Sequence, residues 1–190
     1  MQKYEIDKLL NKVNQINDDE LTYYVRKLIH ERDYLNELAN KDDLTGLKNR
    51  RALSDIKSYS AVAMCDIDDY KYVNDIYGHP IGDVIIKNVS QILQSTVSEK
   101  DSVYRYGGDE FLIVFSDCPE YIVYKRLEAI RKIVESRLIL SNGEKITMSF
   151  GLVMNNGETL GDSIEKADIA LYQSKEQGKN QITKYKILKR

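Results

Sequence analysis

Two short apolar segments separated by four turn-forming residues place the strongest constraint on the fold of this chain. Residues 103–106 and 111–115 have the apolar, β-branched and aromatic character of strands, and residues 107–110 between them read Gly-Gly-Asp-Glu. A double glycine followed by an acid between two such runs is typical of a hairpin turn. The sequence therefore predicts an antiparallel strand pair whose tip carries two carboxylates.

Strand-like and helix-like segments alternate on both sides of this hairpin. Residues 60–67 form an apolar run that ends in acids, which is typical of a buried strand. Gly78 is the predicted break between two helices, and Pro119 is the predicted start of a third. The helical segments are 69–77, 81–97, 119–138 and 160–177, and the remaining strands are 145–154 and 181–187. The order β-α-α-β-β-α-β-α-β predicts an α+β sheet related to the split βαβ plan, with its helices on one face.

The first forty residues have a different pattern, without glycine or proline. Their apolar residues form two stripes that are out of phase and are separated by the cap cluster Asn17-Asp18-Asp19-Glu20, so two helices are predicted. The second stripe repeats leucine every seven residues, as in a coiled-coil seam that sets register in a dimer. An amphipathic helix lying on its own domain would give the same pattern, so both interpretations stay open. The stripes are Ile6, Leu9, Val13 and Ile16, and then Leu21, Val25, Leu28, Arg32, Leu35 and Ala39.

The overall composition argues against several classes of partner. The net charge is −2, from 28 basic and 30 acidic residues, so the whole surface has no general attraction for nucleic acid or anionic lipid. No apolar run approaches the ~20 residues that a membrane span needs. Cys65 and Cys118 belong to no metal or disulfide pattern, which suits a reducing compartment. We therefore expect a soluble, cytoplasmic protein that holds any phosphate ligand by local chemistry, with no nucleic-acid or membrane partner.

Acidic residues mark the predicted end of the buried strand and the hairpin tip. Asp66 ends the strand, Asp68 follows it, and Asp109 and Glu110 lie at the tip. Each of these acids, taken alone, is commonly an ordinary strand-end or turn residue. If the strand lies beside the hairpin, however, the carboxylates converge and repel one another unless a cation lies between them. Hard oxygen ligands select Mg²⁺ or Mn²⁺, which can clamp phosphate during an in-line displacement.

The segment after this strand contains side chains suited to a purine. Asn74 and Asp83 offer an amide and a carboxylate, and a carboxylate can accept two N–H groups from one purine edge. A helix that starts after a strand-end acid would also present backbone N–H groups to phosphates. These residues suggest guanine recognition beside the acidic edge.

Four motifs, in order, make the sequence resemble the GGDEF family of diguanylate cyclases over residues 41–190. They are Asp43-Leu44-Thr45-Gly46-Leu47 with Asn49-Arg50-Arg51; Asp66-Ile67-Asp68 through Asn74-Asp75, with Gly78-His79 and Gly82-Asp83; Arg105-Tyr106-Gly107-Gly108-Asp109-Glu110-Phe111; and Ala167-Asp168-Ile169-Ala170-Leu171-Tyr172 with Lys175, Gly178, Lys179 and Asn180. The resemblance implies a nucleotide-cyclase-like, ferredoxin-related α+β domain at 41–190, with a central sheet that contains antiparallel strands and is flanked by helices. Residues 1–40 would then be a helical dimerisation or signalling segment.

The resemblance also implies an activity and a role for each site residue. The chain would be an enzyme that condenses two GTP into cyclic di-GMP and two pyrophosphates. Asp66, the carbonyl of Ile67, Asp109 and Glu110 would hold Mg²⁺ or Mn²⁺, and Asp109 and Glu110 would be catalytic. The implied GTP-binding residues are Tyr70, Lys71, Asn74, His79, Asp83, Gly107, Gly108, Lys175 and Lys179. At Gly107 and Gly108 a Cβ would obstruct a close approach of GTP to the backbone.

Two further expectations concern assembly and regulation. Because one chain binds one GTP, two sites must face each other, which requires a homodimer, and the N-terminal helices would raise the local concentration of the second site. Many family members carry an Arg-x-x-Asp site for product inhibition. The corresponding residues here are Ser98-Glu99-Lys100-Asp101, so the arginine is missing and weak or absent feedback is expected.

Two alternatives differ in what they need from the site. A non-catalytic regulator that binds GTP or cyclic di-GMP would usually lose the tip acids or the strand-end Asp66, and this sequence keeps both. A cyclase with altered base choice would usually replace the acid at Asp83, which is also retained. Both features favour a GTP-specific cyclase.

Overall fold

The structure, a computed structural model, describes residues 3–16 and 18–186. The chain divides into two compact units, residues 1–41 and residues 42–190. Asn17 of the predicted cap cluster and Ile187 of the last predicted strand lie outside the described residues. Within the described residues, no helix is both long and apolar enough to cross a bilayer.

The first unit contains two helices, α1 (Lys3–Gln15) and α2 (Asp19–Ala39), which contact each other. Asp18 is the N-cap of α2, because its carboxylate accepts a hydrogen bond of 2.9 Å from the backbone N–H of Leu21. No residue of α2 is buried. The leucines at its seven-residue interval, Leu21, Leu28 and Leu35, are 38%, 63% and 57% exposed. This helix therefore has an apolar stripe that its own unit does not cover.

The second unit alternates strands and helices. Its elements are β1 (Lys48–Asn49), a 3₁₀ helix (Arg50–Asp55), β2 (Ala61–Ile67), α3 (Tyr70–Tyr77), α4 (His79–Thr96), β3 (Ser102–Arg105), β4 (Glu110–Phe115), α5 (Glu120–Arg137), β5 (Met148–Met154), α6 (Leu160–Glu176) and β6 (Ile182–Lys184). The predicted order from β2 to β6 is confirmed. The sequence did not predict β1 and the 3₁₀ helix, because a strand of two residues and a helix of six are too short to show a periodicity.

The strands form one six-stranded sheet in the order β1-β3-β4-β2-β5-β6. The four central strands pair antiparallel, and β1 and β6 add to the edges in parallel. All seven residues of β2 are buried, as the apolar run predicts. β2 is paired with β4 so that the end of β2 and the hairpin tip meet where these central strands end. This row of strand ends, with Asp66 and Glu110, is the edge at which the candidate site lies.

Helices cover both faces of this sheet, so the expectation of helices on one face is wrong. Ala61, Ala63 and Cys65 face the core formed with α3, α4 and α5, whereas Val62 and Met64 face α6. The close approach of α6 to the other face depends on a glycine in β5. A Cβ at residue 151 of β5 would collide with the backbone of α6, so only glycine lets the helix lie directly on the strand.

Candidate active site

The end of β2 and the hairpin tip bring acidic side chains to one edge of the sheet. In the antiparallel register of β2 and β4, Asp66 lies opposite Glu110. The backbone N–H of Ile67 also donates to the carbonyl of Asp109 at 3.4 Å. The ladder therefore places Asp66 and Glu110 on adjacent strands, with Asp109 beside them at the tip.

Lys175 reaches the same edge from the last turn of α6. Its Nζ lies 2.8 Å from Oδ1 of Asp66, whose side chain is only 6% exposed. Burial raises the pKa of Asp66 to about 6; the hydrogen bond from Lys175 opposes this shift, and the charges of Asp109 and Glu110 add to it. One lysine thus neutralises only part of the negative charge at this edge.

These donors fit a divalent cation. Among residues 3–16 and 18–186, no group of three or more His, Cys, Asp or Glu side chains is already gathered as metal ligands. Asp66 nevertheless carries a carboxylate whose ionised form is disfavoured by burial and by two neighbouring acids. A hard cation would relieve that repulsion, and carboxylate and carbonyl oxygens are the ligands that Mg²⁺ and Mn²⁺ prefer.

Glycine at the tip makes room for the side chain of Glu110. A Cβ at Gly107 would lie 2.7 Å from Oε2 of Glu110, whereas a Cβ at Gly108 would meet nothing within 4 Å. A side chain at residue 107 would therefore displace the Glu110 carboxylate from the position that it has here. The expectation that both glycines leave space for GTP stays a prediction.

Arg105 and Asp42 brace the tip, and the sequence reasoning assigned neither a role. The Arg105 guanidinium donates to the Gly108 carbonyl, at 3.0 Å from Nε and 2.8 Å from Nη2, and to both carboxylate oxygens of Asp42 at 3.0 and 3.1 Å. Asp42 also accepts from the backbone and hydroxyl of Thr45. Burial opposes ionisation of Asp42, but the bonds from Thr45 and Arg105 outweigh it and lower its pKa.

The detectable signal for Asp42 was its spacing from Thr45, three residues on, which suits an Asp that caps a turn. The sequence motif was instead taken to start at Asp43. That neighbouring acid is exposed in the structure. Which of the two adjacent acids faces Arg105 depends on the local backbone conformation, and the sequence does not specify that conformation.

The residues expected to read guanine lie together on α3 and α4. Oδ1 of Asn74 is buried and has no hydrogen-bond partner among the described residues. A Cβ at Gly82 would collide with this atom and would lie 2.6 Å from the Tyr70 hydroxyl. Burial raises the pKa of Tyr70, a hydrogen bond with Asn74 lowers it, and the charge of Asp83 raises it, so these groups are neighbours. A buried acceptor without a donor is costly in the free protein and suits an N–H of a bound base.

The structure gives the other predicted binding residues different surroundings. Lys71 and His79 are exposed. Lys179 is paired with Asp69, with its Nζ 2.6 Å from Oδ1, and is not paired with the acids of the edge. Lys175 contacts Asp66, so a phosphate bound here would compete with that carboxylate for the lysine.

Asp101, the remaining residue of the inhibitory-site tetrad, is enclosed by the protein. Its side chain is fully buried. The carboxylate accepts from the backbone N–H of Ser98 at 3.0 Å and of Ser116 at 3.1 Å, and from Nη1 of Arg126 at 2.5 Å. These donors leave it no exposed surface for an outside ligand.

Known proteins match most of the length of this chain. The profile of the family described as "Diguanylate cyclase, GGDEF domain" matches residues 39–181. Diguanylate cyclase DosC of Escherichia coli is 38% identical over 160 residues, which are 76% of this chain and 35% of that protein. Diguanylate cyclase A of Treponema denticola is 37% identical over 131 residues, 67% of this chain and 35% of that protein. This chain thus spans about a third of the length of these curated relatives.

Solved structures give the same result. The coiled coil and GGDEF domain of DgcB from Caulobacter crescentus, in complex with c-di-GMP, matches with a TM-score of 0.77 and 32% identity over 87% of this chain and 95% of that one. Diguanylate cyclase SiaD of Pseudomonas aeruginosa, in complex with its activator SiaC, matches with a TM-score of 0.73 and 28% identity over 95% of this chain and 74% of that one. The family profile, the curated relatives and the shared fold together show that this chain belongs to the GGDEF family of diguanylate cyclases.

Proposed function

We propose that this chain condenses two molecules of GTP into cyclic di-GMP, with release of two pyrophosphates. The observation that carries the proposal is the edge at which Asp66 and Glu110 lie on adjacent strands with Lys175 2.8 Å from Asp66. This edge combines carboxylates for a cation with an amine for a phosphate. A regulator that only binds nucleotide would not need the complete set of acids.

The chemistry is phosphoryl transfer. The 3′-hydroxyl of one GTP attacks the α-phosphorus of the other, a new P–O bond forms, and pyrophosphate leaves with the electrons of the broken bond. Mg²⁺, or Mn²⁺, would be held by Asp66, the carbonyl of Ile67, Asp109 and Glu110, and would neutralise charge on the phosphates. In this proposal Asp109, at the tip, takes the hydroxyl proton, and loss of that proton to water with the help of the metal ion is the alternative route. Lys175 stabilises charge on the triphosphate, since its amine is already at this edge.

Guanine recognition by Asn74 and Asp83 gives the substrate specificity. The free Oδ1 of Asn74 would accept one N–H of the base, and the exposed Asp83 carboxylate would accept two from its Watson–Crick edge. Adenine has an acceptor at N1, where guanine has a donor, and would leave these groups unpaired. Competition between GTP and ATP tests this specificity, which in sites of this kind reaches about 10⁴-fold.

Catalysis requires a second copy of the chain, because each chain provides one GTP site. In this proposal, residues 1–40 dimerise and residues 41–190 form the catalytic domain. The support is the stripe Leu21, Leu28 and Leu35 of α2, which no residue of its own unit buries. A parallel pair of α2 helices would cover this stripe. Leu28→Glu should shift the protein from dimers towards monomers. Light scattering on this variant and on the unchanged chain measures how much the α2 stripe contributes to dimerisation.

Product inhibition through the family's usual site should be weak. Ser98 stands where an arginine would bind the product, and Asp101 is already bonded to Arg126 inside the protein. Tight non-competitive inhibition by cyclic di-GMP that disappears when Asp101 is changed would contradict this view.

Turnover of GTP with Mg²⁺ tests the proposed function directly. The full chain is compared with Asp109→Ala and with the control Glu165→Ala, an exposed acid of α6. Formation of cyclic di-GMP by the unchanged chain and by the control, but not by Asp109→Ala, is the expected result. Binding of GTP without turnover by the unchanged chain would favour the non-catalytic regulator.

A further inference from the structure

Asp68 is a buried acid whose hydrogen-bonding capacity is used by the protein itself. It follows Ile67 directly and is 5% exposed. Its carboxylate accepts from the hydroxyls of Thr147 and Ser149, both at 2.6 Å, and from the backbone N–H of Asn180 at 3.0 Å. A carboxylate with three internal donors is a poor candidate for a metal ligand. Its geometry instead ties the end of β2 to β5 and to the segment after α6.

That segment is the most unusual backbone of the second unit. Gly178, Lys179 and Asn180 are three consecutive residues with positive φ, at 112°, 62° and 47°. Left-handed backbone is unfavourable for residues with a Cβ, so the turn persists only because surrounding contacts hold it. Asp68 binds the N–H of Asn180, and Nη1 of Arg131 binds its side-chain oxygen at 2.9 Å. Both contacts hold Asn180 in its left-handed conformation.

This turn connects the two lysines expected to contact the triphosphate. Lys175 is in the last turn of α6, with its Nζ 2.8 Å from Asp66, and Lys179 lies in the turn itself, with its Nζ 2.6 Å from Asp69. Both partners are within two residues of Asp68. Three contacts, made by Asp66, Asp68 and Asp69, therefore link the strand-end segment 66–69 to the segment 175–180, and the contact of Asp68 is the buried one.

We infer that Asp68 is a positioning residue for triphosphate binding, an inference that rests on the proposed function. By holding the turn in its left-handed conformation, Asp68 fixes Lys175 and Lys179 relative to the strand-end carboxylates. Without this hold the turn relaxes toward ordinary φ values and the lysines move away from the phosphates. The guanine-reading residues lie on α3 and α4, outside the turn, so recognition of the base should not change.

The test compares a ligand that has phosphates with one that lacks them. In Asp68→Asn, one carboxylate oxygen is replaced by an amide that cannot accept a hydrogen bond. We expect the Kd of α,β-methylene GTP, which cannot release pyrophosphate, to rise by about tenfold or more. The Kd of guanosine, measured by NMR titration, should change by less than about twofold. The control Glu165→Gln removes a charge from the exposed surface of α6, the helix that carries Lys175, and should change neither value.

Two further variants separate positioning from damage to the fold. Asn180→Gly accepts the left-handed φ but removes the contact with Arg131, so it should also weaken the GTP analogue selectively. In a background that lacks both lysines, Lys175→Ala with Lys179→Ala, Asp68→Asn should cost much less than in the unchanged protein, because Asp68 acts through these two side chains. Parallel loss of guanosine and analogue binding, or additive effects in this cycle, would overturn the inference. If the unchanged protein binds neither ligand, the proposed function itself fails.

Discussion

Asp66 and Asp101 are both buried acids beside the central strands, and each is paired with a basic side chain from a helix, yet their surroundings differ. Asp101 is bonded to Arg126 and to two backbone N–H groups. Asp66 has Lys175 and two neighbouring acids, and its pKa is raised to about 6. The protein supplies every donor that Asp101 needs, whereas it leaves Asp66 with excess negative charge. The first arrangement stabilises the fold, and the second is suited to an external cation.

The largest expected effect of this difference is on catalysis. Asp66→Asn removes the carboxylate expected to hold the cation, so GTP turnover with Mg²⁺ should fall by about 10³-fold, equivalent to several kcal/mol of transition-state stabilisation. Asp101→Asn should keep turnover per folded molecule within about threefold, an effect below 1 kcal/mol. Initial rates of cyclic di-GMP formation measure both. Equal losses of turnover in the two variants would show that Asp66 has no greater role in catalysis than Asp101.

The second effect is on the folded state. Asp101→Ala leaves the Arg126 guanidinium and the N–H groups of Ser98 and Ser116 without their acceptor. Loss of one partner from a buried charged pair should lower the free energy of unfolding by about 3 kcal/mol. Urea denaturation of the apo protein measures this change. A loss below about 0.5 kcal/mol would mean that water replaces the carboxylate at no cost.

The sequence could predict the convergence at the edge but not its charge balance. Apolar runs identified β2 and the hairpin, and Asp66 was expected to meet the tip acids if β2 lies beside the hairpin. The antiparallel register that sets Asp66 opposite Glu110 is known only from the structure. The contact of Lys175 with Asp66 joins residues more than a hundred positions apart, and no local pattern encodes that distance. The same limit applies to Arg126 and Asp101, whose pairing depends on how α5 lies against the sheet.

Local chemistry also explains the errors of the sequence reasoning. The helices cover both faces because Gly151 lets the backbone of α6 approach β5, and a glycine within a strand does not reveal which helix it admits. Asp42 was overlooked beside Asp43 because adjacent acids look alike until the turn fixes which one faces Arg105. By contrast, the break at Gly78 was predictable, since its φ of 81° is a conformation that glycine adopts freely.

A third effect opposes the first. The folded-state pKa of Asp66, about 6, lies above the ordinary aspartate value of 3.8, so the folded protein binds this proton more tightly than the unfolded chain does. Between these two pH values stability falls as pH rises, and above about pH 6 the loss is complete. Asp66→Asn lacks this titration. Without metal or nucleotide it should be more stable than the unchanged protein by about 2 kcal/mol at pH 7.5, with little difference at pH 4.

Urea denaturation in EDTA at the two pH values measures that gain, with Glu165→Gln as the control for loss of one surface charge. A variant less stable than the unchanged protein at pH 7.5 would show that Lys175 already compensates Asp66 fully. The excess charge would then be absent, and the two acids would be alike in kind. A gain at pH 7.5 together with the loss of turnover would show that the active edge is kept at a cost to stability.

The smallest effect concerns the base that pairs with Asp101. Arg126→Lys keeps a positive charge but loses the planar guanidinium, while both backbone N–H donors to Asp101 remain. The free energy of unfolding should therefore fall by only about 1 kcal/mol, clearly less than for Asp101→Ala. Urea denaturation of the two variants side by side measures the ratio. If Arg126→Lys and Asp101→Ala lose equal free energy of unfolding, the guanidinium rather than the backbone N–H groups holds Asp101. Asp101 would then depend on Arg126 of α5 as Asp66 depends on Lys175 of α6.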